Sequence, residues 1–219
     1  MEKYFEVLKR CPLFAQIEER DLLAMLGCLG ARIQSFDKKD TILAEGTHAT
    51  QIGIVLAGSA QIAQVDYLGN RSILAGVGPS EVFAEAFACA GARSLPLAVI
   101  ANEPCDIMLI DCDRILHPCS QYCRYHHQLI FNLIQDLATK TLQFHQKIEI
   151  TSKRTTREKL MAYLMAQSKK AKSNSFDIPF DRQELADYLQ VERSGLSAEI
   201  SKLRKEKVIE SNRKHFVIL

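Results

Sequence analysis

The apolar positions along this chain change period three times, and each change marks a different kind of element. Over residues 3–30 they recur at helical spacing with a break at CPLF, which predicts short helices with Ile17, Leu22, Leu23 and Leu26 near one face. From about 32 to 112 short β-rich runs take over: TILAEG, IGIVLAG, SAQIAQVD, RSILAGV, LAVIA and DIMLIDC. They are punctuated at Gly46, Gly58, Gly69-Asn70, Gly78-Pro79 and Glu103-Pro104. Many short strands at regular spacing predict a small barrel or sandwich, with a hairpin turn centred on Gly69-Asn70. From His127 the positions Ile130, Ile134, Leu137, Thr141, Phe144, Ile148 and Thr151 alternate spacings of three and four, a seam sustained over about three heptads. A seam that long needs cover. This chain's own barrel is one cover; a two-fold copy of the same helix is the favoured one.

The last third returns to helical period. REKLMAYLMAQSKKA predicts a helix with Leu160, Tyr163 and Leu164 inward, and KAKSNSFDIPF a loop with a short strand. In RQELADYLQVERSGLSAEISKLRKE, Arg182 to Glu206, a first helix keeps Leu185, Ala186 and Leu189 apolar, and a second turns Leu196, Ile200 and Leu203 inward. The opposite face of the second helix carries Arg193, Ser194, Ser197, Ala198 and Lys202, all small, polar or basic. A groove-reading helix needs that arrangement, because short side chains let its backbone approach base edges while an Arg reaches guanine O6/N7. KVIESNRKHFVIL then predicts a hairpin turning at Asn212-Arg213-Lys214, with Arg213, Lys214 and His215 placed for backbone phosphates. An αα-hairpin with a solvated face has the same periodicity, so periodicity alone leaves both readings open.

Charge weighs on that choice. Residues 151–219 hold 15 Lys+Arg against 9 Asp+Glu, whereas residues 1–150 hold 13 against 17. A basic tail on an acidic remainder points to an anionic partner, of which nucleic acid is the commonest. The N-terminus mixes Glu and Lys among its apolar residues and no apolar run approaches 18, so neither a signal peptide nor a membrane span is expected. Seven cysteines in such a chain read as reduced thiols, and the expected location is cytoplasmic.

At this point residues 5–219 resemble the Crp/Fnr family of bacterial transcription regulators. The strongest parts are DRQELADYLQVERSGLSAEISKLRKEKVI and the glycine-punctuated ILAEGTHATQIGIVLAGSAQIAQVDYLGNRSILAGVGPSEVFAEA. The resemblance implies an α+β fold: an N-terminal double-stranded β-helix (a cyclic-nucleotide-binding-like β-roll with N-terminal helices, 1–113), a long dimerisation helix (114–151) and a C-terminal winged helix-turn-helix (152–219). It implies a homodimer rather than an enzyme, acting on a pseudo-palindromic double-stranded DNA operator, contacting RNA polymerase and answering to a small-molecule effector. Arg182, Gln183 and Glu184 then open the first helix of the reading head, and Arg193 takes the guanine-reading position. Ser194 stands where cyclic-AMP and oxygen-sensing members place a base-reading Glu, and Ser197 and Ala198 where they often have Ser/Gly and Arg. Gly195, Lys202 and Lys214 complete the implied DNA-contacting set, and Gln190 replaces the common turn glycine. The half-site therefore differs from theirs.

The implied effector pocket takes Phe83, Ala84, Glu85 and Ala86, then Arg93, Ser94 and Leu95, and Gln143 and Phe144 from the long helix. Nucleotide-binding members use a Gly-Glu pair and, about ten residues on, Arg-Ser, so that a carboxylate meets ribose and an Arg meets phosphate. Here Glu85 is kept, Ala84 replaces the Gly, Leu95-Pro96 occupies the Arg-Ser positions and Arg93-Ser94 lies two residues early. A Leu-Pro wall and a Phe cradle phosphate poorly, so the expected effector is a more apolar or aromatic molecule than cyclic AMP. Of Cys11, Cys28, Cys89, Cys105, Cys112, Cys119 and Cys123, only Cys119 and Cys123 are concentrated, in HPCSQYCRYHH beside His117, His126 and His127. They read as apolar fillers, and no metal or cofactor is expected. The alternatives are a cysteine redox or metal switch and, more distantly, a cupin-like metalloenzyme, for which His48 is the single strand-region histidine.

Overall fold

The structure, a computed structural model, describes residues 2–65, 71–117 and 125–219. They form two compact units, Met1–Thr139 and Lys140–Leu219.

The first unit opens with helices α1 (Phe5–Arg10) and α2 (Glu19–Cys28), followed by strands β1 (Arg32–Phe36), β2 (Thr41–Leu43), β3 (Gln51–Ala57), β4 (Ala60–Val65), β5 (Arg71–Val77) and β6 (Val82–Phe83). Helix α3 (Glu85–Cys89), strands β7 (Ala98–Ala101) and β8 (Cys105–Asp111) and helix α4 (Cys112–Leu116) complete the roll. Two four-stranded antiparallel sheets, ordered β1-β8-β3-β6 and β2-β7-β4-β5, face each other. The hairpin read at Gly69-Asn70 is the β4–β5 pair, whose turn lies outside the described residues.

Strand β3 explains why IGIVLAG reads as an unbroken apolar run: both of its faces are covered. Ile52, Ile54 and Leu56 join Leu8, Phe14, Leu22, Met25, Leu26 and Leu29 beneath the N-terminal helices. Val55 points the other way, into a cluster with Phe36, Phe83, Val99 and Ile107 that fills the space between the sheets. Gly53 is small because Phe83 lies over it; a Cβ there would come within 2.0 Å of the ring. In α2 the inward set is Leu22, Met25 and Leu26, while Leu23 is 39% exposed, which corrects the assignment of Leu23 to the inner face. Position 25 lies one helical turn from 22, whereas 23 is rotated about 100° away.

Helix α5 (His126–Thr151) starts later than the range 114–151 assigned to it, since α4 occupies residues to 116 and 118–124 lie outside the described residues. Its first turns are tied into the N-terminal core by Leu129 and Leu133 and by the buried amide of Asn132. Asn132 Nδ2 donates to the carbonyls of Leu13 (3.0 Å) and Ala15 (2.8 Å), and its Oδ1 accepts from Gln128 Nε2 (2.9 Å), so the amide is buried without loss of its bonds.

In the second unit follow α6 (Thr156–Ala171), β9 (Ser175–Asp177), α7 (Arg182–Leu189), α8 (Arg193–Lys205), β10 (Ile209–Asn212) and β11 (His215–Ile218). The strands make one antiparallel sheet ordered β10-β11-β9. Leu160, Tyr163 and Leu164 of α6 pack with Leu185, Ala186 and Leu189 of α7, Leu196, Ile200 and Leu203 of α8, and Phe216. These are the inward positions expected from the spacing. The overall class is α+β: a double-stranded β-helix, a long helix and a winged helix-turn-helix.

Candidate functional site

The reading head is built by local chemistry at both ends of α7. Asp181 Oδ1 accepts the Glu184 N–H at 2.8 Å and Glu184 Oε2 accepts the Asp181 N–H at 2.6 Å, a reciprocal capping box that sets where the helix begins. At the other end Gln190 sits in the left-handed region, φ 53° and ψ 56°, which is the reason a glycine suits this turn. The Gln190 N–H reaches the Asp187 carbonyl (3.1 Å) and the Val191 N–H the Ala186 carbonyl (3.0 Å), closing the helix as a Schellman turn. Lys159 of α6 then donates to the carbonyls of Leu189 and Gln190, each at 3.3 Å. The turn is held although its residue is not the preferred one.

Helix α8 leaves this turn with Leu196, Ile200 and Leu203 buried and Arg193, Ser194, Gly195, Ser197, Ala198 and Lys202 all exposed. A Cβ on Gly195 would meet nothing within 4 Å, so the first turn presents bare backbone. No acidic residue lies in that turn, and Lys202, Arg204 and Lys205 lie in the last. Gln183, exposed on α7, donates through Nε2 to Asp187 Oδ1 at 2.8 Å.

Two of the expected DNA-contacting residues are partly committed elsewhere. Arg182 is half-buried, with its guanidinium 5.5 Å from the centre of the Phe216 ring, and burial together with the nearby Arg204 holds its pKa down. Lys214 donates through Nζ to the Pro179 carbonyl at 2.7 Å and lies 4.0 Å from Glu184 Oε2. The turn of the wing is carried by Arg213, φ 52°, and His215 bridges Asp177 Oδ1 (3.0 Å) and Ser175 Oγ (3.1 Å) across the sheet. Sequence reasoning missed Ser201, Arg204 and Asn212, which gather with Arg182, Ser197 and Arg213 around an open cleft. The signal was present: 197, 201 and 204 continue the three-and-four spacing of the exposed face.

In the roll, Phe83 and Glu85 are buried, and Ala84 between them is left-handed at φ 64°. Ala86, Arg93 and Ser94 are exposed. Leu95 is buried and clamped, its N–H to the Thr47 carbonyl (2.8 Å) and its carbonyl to the Gly46 N–H (2.9 Å). Buried polar or charged side chains among the described residues are Glu85, His126 and Asn132. Gln143 and Phe144 are exposed residues of the second unit.

Along α5 the apolar side chains from Phe131 to Ile148 divide by exposure. Ile134, Phe144 and Ile148 are exposed, and so are Phe131 (58%) and Leu142 (71%), which the seam omitted. Thr141 is exposed, Ile130 is half-buried, and Leu137 packs partly against the N-terminal core. The exposed stripe is therefore rotated slightly from the one read in the sequence.

Cys119 and Cys123 lie outside the described residues, and His126 is committed to the Ile115 carbonyl through Nε2 at 2.6 Å. Among the described residues no group of three or more His, Cys, Asp or Glu could hold a metal, and no helix is long and apolar enough to cross a membrane.

Residues 33–122 match the cyclic nucleotide-binding domain and residues 158–219 the Crp-like helix-turn-helix domain. No curated protein matches the chain closely enough to count as a relative. Among solved structures it is similar to the c-di-GMP-responsive global regulator CLP of Xanthomonas campestris, at 14% identity and TM-score 0.63 over 92% of this chain and 99% of that one. FixK2 of Bradyrhizobium japonicum aligns at 19% identity and TM-score 0.54, over 86% of this chain and 92% of its own. The catabolite activator protein of Thermus thermophilus aligns at 18% and 0.51, over 95% and 93%. At such identities these structures speak for the fold, and the two domain matches, in this order on one chain, speak for the family. The chain belongs to the Crp/Fnr family of DNA-binding regulators.

Proposed function

We propose that the protein is a homodimeric transcription regulator that binds a pseudo-palindromic DNA operator and is switched by a small molecule in the β-roll. The observation that carries the reading is the exposed face of α8: Arg193, Ser194, Gly195, Ser197, Ala198 and Lys202 present two cations, two hydroxyls and bare backbone above a buried Leu196-Ile200-Leu203 back. Such a face fits the major groove, with Arg193 reading guanine, the serines bonding bases or phosphates, and Gln183, Arg182, Lys202 and Lys214 set for the backbone. Two half-sites require two heads. The exposed stripe of Phe131, Ile134, Leu142, Phe144 and Ile148 favours a second copy of α5 as its cover, with Ile130, Leu137 and Thr141 at its margin.

For the effector, the apolar filling of the roll and the exposure of Arg93 favour a ligand more apolar than cyclic AMP, recognised through Glu85, Phe83 and the Leu95-Pro96 wall. A ligand there biases the setting of the dimer helix and so the spacing of the heads. Contact with RNA polymerase belongs to the same reading. The test is selection of bound sequences from a random duplex pool, with the mass of the complex measured natively. Recovery of an inverted repeat bound by two chains is expected; equal retention of all sequences would remove the proposal. Cyclic AMP and c-di-GMP serve as comparisons in a thermal-shift screen, since a true ligand stabilises by mass action.

A further inference from the structure

Cys89, at the C-terminal end of α3, and Cys112, the first residue of α4, bring their sulfurs to 3.4 Å although 23 residues separate them in sequence. We infer that these two thiols form a reversible intramolecular disulfide, through which a hydroperoxide oxidant controls the same DNA-binding regulator. The inference rests on that functional reading for its effect on DNA, and on the thiol geometry for the bond itself.

The two sulfurs have different surroundings. Cys89 is half-buried at the edge of the N-terminal core, while Cys112 is buried. Burial pushes both thiols up, Cys112 to about 12, with the Cys112 contact acting the other way on Cys89. Cys89 is therefore the attacking group and Cys112 the resolving one, and the pair is spared at low oxidant because little thiolate exists near neutrality. The Cys89 thiolate attacks a peroxide oxygen, the O–O bond breaks, and the departing hydroxide takes up the thiol proton to leave as water. Cys112 sulfur then displaces the hydroxyl of the Cys89 sulfenic acid; the S–O bond breaks, the S–S bond forms, and the Cys112 proton leaves in a second water. Two thiols and one hydrogen peroxide thus give one disulfide and two waters.

Closure draws the sulfurs from 3.4 Å to the roughly 2.05 Å of a disulfide. That pulls α3, which begins beside the left-handed Ala84 and the buried Glu85, against α4. The carbonyl of Ile115 in α4 is in turn bonded to His126 at the start of α5. The bond therefore ties the effector cassette to the element that adjoins the long helix, a physical route from oxidant to reading head.

The experiment treats the full chain with hydrogen peroxide, alkylates remaining thiols and maps disulfides by tandem mass spectrometry, which separates Cys112 from Cys105 on a shared peptide. Affinity for the selected DNA is measured before oxidation, after it, and after reduction by dithiothreitol. A Cys89–Cys112 bond reversed by dithiothreitol is expected, with an affinity change of about tenfold, a typical allosteric coupling. Cys89→Ser and Cys112→Ala should each hold the reduced affinity and lose the response. Persistence of both thiols in excess peroxide, over-oxidation of Cys89, or a different pairing overturns the inference, as does a mapped disulfide that leaves DNA affinity unchanged. Absence of DNA binding in every redox state would instead strike the regulator reading and, with it, the effect assigned to the bond, while the map still decides the bond.

Discussion

The guanidinium of Arg182 lies over the ring of Phe216, its central carbon 5.5 Å from the ring centre, so the first residue of α7 is joined to the last strand of the wing. Burial keeps this cation partly out of water and holds its pKa down. Arg182 is therefore a structural member of the reading head as well as a cation beside the cleft. Arg193, exposed at the start of α8, has no such tie to Phe216.

The two arginines should separate in a melting experiment. Arg182→Ala is expected to cost about 1 kcal/mol of stability, the scale of a partly desolvated cation–π contact, and to weaken binding to all DNA sequences alike. Arg193→Ala is expected to leave the melting temperature unchanged and to lose about 1–3 kcal/mol of discrimination at one base pair of the selected site. Equal stability losses in the two variants would refute the distinction.

The non-glycine residues that hold left-handed backbone include Gln190 (φ 53°) after α7 and Ala84 (φ 64°) before α3. Such a conformation costs an L-residue roughly 1 kcal/mol that glycine avoids. Gln190→Gly is expected to raise the unfolding free energy by about 0.5–1 kcal/mol, the gain being reduced by glycine's greater freedom when unfolded. Denaturant titration reads it directly, and a loss of stability would mean that the Gln190 side chain matters more than its backbone.

On α5, neighbouring residues should behave oppositely. Leu133 is buried beneath the N-terminal helices, so Leu133→Ala is expected to cost about 2–5 kcal/mol. Ile134 and Ile148 are 60% and 62% exposed, and charging both, as Ile134→Asp with Ile148→Asp, should scarcely disturb the folded chain yet convert a dimer to a monomer. Sedimentation with circular dichroism checks the pair of outcomes. A dimer that survives both charges would place the self-association surface elsewhere.

Acid should weaken the second unit through its caps. The Glu184 amide holds the Asp181 carboxyl below its usual range, the Thr155 amide does so for Glu158, and the Arg157 guanidinium for Glu206. A depressed carboxylate contributes its stability above its unfolded pKa of about 4, and loses it as pH falls through the lower folded value. The melting temperature is therefore expected to hold from neutrality to about pH 5 and to fall below about pH 4. Asp181→Asn, which keeps a capping side chain without the charge, should flatten that acid limb.

How far the fold was legible follows from how local its causes are. The inward sets of α6, α7 and α8 were read correctly because each helix buries one stripe of its own sequence. All six β-rich runs fall on strands for the same kind of reason. Leu23 failed because a ten-residue helix offers two nearly equivalent apolar arcs, and only the packing of Met25 against the β3 side chains chooses between them. On α5 the heptad spacing passed over Phe131 and Leu142, which are exposed, while Leu137 fits the heptad but gives part of its surface to the chain's own core.

The amino-acid sequence determined what depends on neighbours along the chain: the period of each element, the capping box from Asp181 to Glu184, the basic balance of the last third and the polar face of α8. Tertiary structure decided what depends on residues far apart meeting in space. It set Arg182 on Phe216, Asn132 on the carbonyls of Leu13 and Ala15, and Cys89 against Cys112. No local pattern encodes those contacts, because each is made only when separate elements close on a common core and bring their side chains within bonding range.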